Sequence, residues 1–83
     1  MAFVTVTQHI GWCEDSNGHD QGRGVVVLGI TDDGEQCRMK CQQYKGATGC
    51  EFNKGGGCAV HTQVVKSGSG NTDYVCWVFS SIL

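Results

Sequence analysis

Six cysteines are the residues with the most chemistry to offer, and two of them, Cys37 and Cys41 in the stretch CRMKC, stand about one helical turn apart. Such a pair is open to three uses: a redox couple, half of a metal clip, or two half-cystines bound for different partners. A redox couple wants C-x-x-C at the start of a helix, where the thiolate is favoured. Here the spacing is C-x-x-x-C and falls inside a helical stretch. A zinc site could draw on Cys37, Cys41, Cys50, Cys58 and His61, yet structural zinc sites favour close cysteine pairs in turns, and only one pair approaches that. As half-cystines the two are poor partners for each other. Helix residues four apart hold their Cβ atoms about 5–6 Å apart, whereas a disulfide wants about 3.5–4.5 Å. Both point the same way and can reach neighbouring strands, each of which offers one cysteine, Cys50 and Cys58. Cys13 and Cys76 remain for the two ends of the chain. No metal and no cofactor is expected.

Other chemistry is thinly supplied. The serines lie in loops or near the end of the chain without a G-x-S-x-G context, and no paired carboxylates stand out against helix capping, so no enzyme is expected. The stretch EDSNGHD invites a calcium reading with Asp15, Asn17 and Asp20 as oxygen ligands. It fails the helix-loop-helix pattern, because Asp20 takes the sixth place, where glycine belongs, and Val26 the twelfth. A surface turn explains it better.

A ligand platform has more support. If Cys50 and Cys58 face the helix, strand alternation sends Phe52 and Val60 inward with them and leaves Glu51, Asn53, Ala59, His61 and Gln63 on the opposite face. Trp77 is adjacent to Cys76 and must face away from it. A polar sheet face near Trp77 would suit a sugar: aromatic rings stack on apolar sugar faces while amides and carboxylates take the hydroxyls. The loop SGSGNTDY adds Asn71, Thr72, Asp73 and Tyr74. Against this stand the ordinary readings: a solvated or locally bonded His61, buried Trp12 and Trp77, and a plain strand connection at residues 71–74.

The elements that must hold these groups can be read in outline. AFVTVT alternates as a half-buried strand, and VVVLGI is a β-branched second one. In TDDGEQCRMKCQQYKG, Asp32 with Glu35 three residues on gives a capping-box signature, and Gly46 stands where a C-cap glycine belongs. This predicts a helix over Asp33–Lys45 with Cys37, Cys41 and Tyr44 on its core face. TGCEF and GCAVHT form a hairpin around NKGG, VKSGSGN reads as a flexible loop, and DYVCWVFSSI is a last strand. The fold class is α+β, with one helix packed on an antiparallel sheet, in a single domain over residues 1–83.

At 83 residues the chain buries only about 60–65% of its unfolded surface, so its core is marginal and cross-links are the usual remedy. An even cysteine count fits complete pairing and points to a secreted, oxidising setting. MAFVTVTQHI has neither a basic nor an apolar leader segment, so a leader would have been removed, or the chain is one module of a longer protein. The net charge is −2 and the six Lys and Arg residues are scattered, which gives no footprint for nucleic acid. The run VVVLGI is too short for membrane insertion.

One cysteine in the first loop, C-x3-C on a helix, a fourth in GATGCEFN, a fifth in GGCAVHT and a sixth in DYVCWVF together resemble the PAN/apple domain. The resemblance runs from Cys13 to the last strand. It implies a nested pairing, Cys13 with Cys76, Cys37 with Cys58 and Cys41 with Cys50, out of the fifteen that six cysteines allow. It also implies a module that binds proteins or carbohydrates in secreted and surface proteins and is not an enzyme on its own. No ligand-contact motif of that family is matched, so no binding residue carries over. A carbohydrate is the expected partner, with a protein or glycoprotein surface as the alternative. A disulfide-rich toxin or defence protein is a third class, disfavoured because such effectors are commonly cationic.

Overall fold

A computed structural model describes residues 3–15 and 24–82. Its strands are β1 (Phe3–Ile10), β2 (Cys13–Glu14), β3 (Val25–Ile30), β4 (Gly49–Asn53), β5 (Gly57–His61), β6 (Ser67–Gly68) and β7 (Tyr74–Ile82), with one helix, α1 (Gly34–Gln42), between β3 and β4. Five strands form an antiparallel sheet in the order β1-β7-β4-β5-β3, and β2 pairs with β6 in a separate two-stranded ladder. The class is the expected one, a small disulfide-rich α+β fold.

Strand register sorts the side chains onto two faces. Cys50 lies opposite both Trp77 and Val60, and Phe52 opposite both Val75 and Cys58. These residues therefore share a face, and the helix closes it with Cys37 and Cys41. The other face carries Glu51 opposite Cys76 and Ala59. There Cys13, Val65 and Cys76 form a second, smaller cluster with Val78 against it.

A helix of 9 residues is marginal alone, and two bridges tie it down: Cys37–Cys58 to β5 and Cys41–Cys50 to β4. Cys13–Cys76 anchors β2 over the other face of β7. The pairing is the nested one.

Three expectations shift. The helix is shorter at both ends than Asp33–Lys45: Asp33 is its N-cap, accepting the Gln36 N–H at 2.8 Å, and Gln43 is its C-cap. The capping partner is Gln36 rather than Glu35. Its Oε1 reaches back to the Asp32 N–H, so the capping box lies one residue later than the Asp32–Glu35 spacing suggests. Because the helix ends before Tyr44, that ring leaves the core stripe and is 38% exposed. The chain then reverses through Gly46, whose φ of +81° a side chain would resist.

VKSGSGN is not wholly loop. Its Ser67 and Gly68 pair with Glu14 and Cys13. Two residues are too few for a period-2 pattern to show in the sequence, and a Cβ on Gly68 would collide with the Ile10 carbonyl oxygen. The glycine is what lets this segment lie against β1.

Candidate functional site

The sheet face opposite the helix divides into a covered half and an open half. Over the covered half lie β2, Val65 and the Cys13–Cys76 bridge. Beneath them Glu51 Oε1 accepts two hydrogen bonds, from the Cys13 backbone N–H at 2.8 Å and from His61 Nε2 at 3.2 Å. That contact sets the tautomer, with the proton on Nε2. His61 Nδ1 has no partner among the described residues.

This arrangement corrects the platform expected from alternation. His61 does lie on the face opposite the helix, but it is fully buried and has no edge to offer a ligand. Trp77 is 7% exposed and lies beneath the helix, on the other side of the sheet, with its Nε1–H donated to Gln8 Oε1. A sheet layer separates the two rings, so they cannot line one surface. The physical cause is the second cover: a small domain with three cross-links has enough chain in β2, β6 and Val65 to close part of a face that a one-helix fold would leave wet.

The open half is built from two turns that meet. In the β4–β5 turn, Asn53 Oδ1 accepts the N–H groups of Gly55 at 2.9 Å and Gly57 at 3.0 Å. Before β7, Asn71 Oδ1 accepts the Asp73 N–H at 2.9 Å, and the Asn71 carbonyl accepts the Tyr74 N–H. Both are turns closed by a side-chain amide, the local chemistry that makes asparagine a turn former. The Lys54 N–H donates to the Asp73 carbonyl at 2.8 Å and joins one turn to the other. Between them lies a cleft of about 380 Å³ lined by Asn53, Lys54, Gly55, Asp73 and Tyr74.

A smaller groove of about 240 Å³ continues from it across the sheet, past Glu51 and Ala59 to Val25 and Val27, sharing Asn53 and Tyr74 with the cleft. Trp12 braces the shared ring. It meets Tyr74 edge to face, with centroids 5.5 Å apart and planes at 84°. The Trp12 Nε1–H is held by Glu14 Oε2 at 3.3 Å.

Of the residues singled out from sequence as ligand contacts, Asn53, Asp73 and Tyr74 come together at this cleft. Asn71 shapes its turn. Glu51 reaches the floor of the groove but spends one oxygen on Cys13 and His61, and His61 and Trp77 are excluded. Lys54, Trp12, Val25 and Val27 were missed. Lys54 stood inside a recognised hairpin turn, but nothing local signals that residues 54 and 73 are neighbours. Trp12 carried no signal beyond its aromaticity.

The five residues of the zinc reading do not gather. The sulfurs of Cys37, Cys41, Cys50 and Cys58 cluster beneath the helix, while His61 groups with Cys13 and Glu51 on the other face. All six cysteines are disulfide-bonded. Asn17 and Asp20 of the calcium reading lie outside the described residues. No helix among the described residues is long and apolar enough to cross a membrane. Compared with protein-family models, curated proteins and solved structures, the chain matches none.

Proposed function

We propose that this protein is a secreted PAN/apple-like recognition module, not an enzyme, and that it binds a carbohydrate in the cleft between its two asparagine-closed turns. The observation that carries this reading is the convergence of Asn53, Lys54, Asp73 and Tyr74 on one cleft. An ammonium, a carboxylate and an amide supply donors and acceptors for hydroxyl groups, and an aromatic ring supplies the apolar surface on which a sugar face stacks. Both turns are tied by their own hydrogen bonds, so little conformational entropy is lost when a ligand enters. Three disulfides suit an oxidising, extracellular setting.

A second reading, docking on a protein or glycoprotein surface, is favoured by one feature. Val27 and Ile30 on the edge strand β3 are 78% and 75% exposed, large apolar side chains that a protein partner would cover.

The test is an amide NMR titration of the oxidised protein with a panel of mono- and disaccharides. Saturable shifts at residues 53–55 and 71–74 are expected, and Tyr74→Ala should abolish them while Lys54→Ala weakens them. A flat response across the panel would overturn the carbohydrate reading and move the search to partners of β3. Asn53→Ala is a poor probe, because it would open the turn as well as remove a contact.

A further inference from the structure

The two inner disulfides lie side by side and fully enclosed. Cys37, Cys41 and Cys50 have no exposed surface and Cys58 only 2%. All four Sγ atoms lie within 4.8 Å of one another, and Cys37 Sγ stands 3.5 Å from Cys50 Sγ, to which it is not bonded. Zinc bound by four thiolates has Zn–S distances of about 2.3 Å, which in a tetrahedron places the sulfurs about 3.8 Å apart. That value falls inside the range this cluster already spans. The two bonded pairs would have to part.

The elements that supply the sulfurs are those a metal site needs. Cys37 and Cys41 sit at i and i+4 on the buried face of α1. That spacing is too wide for a mutual disulfide, yet it lets two side chains share one ion. Cys50 and Cys58 come from the same face of the adjacent strands β4 and β5, two residues apart in register. All four are carried on helix and strand rather than on loops, which fixes their directions.

We propose that the reduced protein closes the same core around one zinc ion held by Cys37, Cys41, Cys50 and Cys58, so that zinc and the two inner disulfides are alternative staples of one fold. A phosphine or dithiol reductant supplies the four electrons and, with water, the four protons that turn two disulfides into four thiols. Zinc then displaces those four protons and is bound by four thiolates, with no change in its own oxidation state. Cys13 and Cys76 lie on the other face and take no part. The site is beneath the helix, away from the cleft, and stands independently of the carbohydrate reading.

The experiment uses the full chain, reduced with a phosphine under anaerobic conditions and titrated with zinc chloride, then separately with cobalt chloride as a spectroscopic substitute. Near-UV circular dichroism and amide NMR report folding, and a pH indicator reports proton release. The expected result is native-like spectra for β4, β5 and β7 at one equivalent of zinc, lost on adding a chelator, with about four protons released per ion. Cobalt should show a tetrathiolate spectrum. Cys41→Ser should weaken binding by at least about tenfold, whereas Cys13→Ser/Cys76→Ser should leave stoichiometry and spectrum unchanged. Metal uptake without folding, folding that does not need metal, a mixed sulfur and nitrogen spectrum, or an unchanged affinity in Cys41→Ser would each overturn the proposal.

Discussion

Glu51 is the residue on which the covered half of the sheet face depends, and replacing it with alanine tests that dependence. One of its oxygens serves two donors, the Cys13 N–H and His61 Nε2, both in residues with no exposed surface. Removing the carboxylate orphans both, and a buried donor left unpaired costs about 1–3 kcal/mol. The Glu51 side chain is itself 17% exposed, so water can partly replace it. The loss for Glu51→Ala should therefore be about 2–3 kcal/mol, at the lower end of the sum. For a domain of this size that corresponds to a fall in Tm of roughly 10–20 °C.

Glu51→Gln separates the hydrogen bonds from mere bulk. Its amide oxygen can accept from both donors, and only the charge assistance is lost, so the cost should stay below about 1 kcal/mol. Thermal and urea unfolding of the oxidised proteins gives the magnitudes. Hydrogen exchange should add that the Cys13 amide loses protection in the alanine variant and keeps it in the glutamine variant. An alanine variant within about 0.5 kcal/mol of the parent, the range of an ordinary surface change, or a glutamine variant as costly as alanine, would refute the account of Glu51 as a shared acceptor.

Further outcomes concern the staples and the backbone. Cys13–Cys76 spans 63 residues and Cys41–Cys50 spans 9, so by loop-closure entropy replacing the first pair with alanines should cost about 1–2 kcal/mol more than replacing the second; the reverse order in urea unfolding would contradict the loop-length argument. Asp33→Ala removes the N-cap acceptor of α1 and should cost about 1 kcal/mol, read as a shift in the urea midpoint with unchanged slope. Gly68→Ala should drive β6 off the Ile10 carbonyl, seen as lost exchange protection of the Lys66 N–H that donates to Glu14 and the Ser69 N–H that donates to Trp12, and unaltered protection there would remove the steric role given to this glycine.

Much of the scaffold was legible in the chain because it rests on local physics. The VVVLGI strand, the hairpin around NKGG and the helix between them follow from β-branched runs, glycine turns and a capping residue, and each is found within a residue or three of where those signals place it. The helix spacing of Cys37 and Cys41 marked them as poor partners for each other, and each bridges to a strand instead. Alternation along β4 and β5 assigned Cys50, Phe52, Cys58 and Val60 to one face and Glu51, Asn53, Ala59 and His61 to the other, as the register shows.

The site was only half legible. Asn53, Asp73 and Tyr74 could be suspected one at a time, but their meeting depends on β4 pairing with β7, which sets Asn53 opposite Tyr74 across twenty residues of chain. Alternation divides a strand into two faces without saying which face another segment will cover. His61 and Trp77 were expected to share one platform, yet they lie on opposite sides of the sheet, and each is covered by distant chain: Trp77 by a nine-residue helix, His61 by β2, β6 and Val65. Periodicity is a property of neighbouring residues, and burial a property of distant ones brought together. For that reason the sequence was enough to specify the longer elements and the shared face of Cys50 and Cys58, while only the assembled sheet determined the short β2–β6 ladder and the open surface at the Asn53–Tyr74 corner.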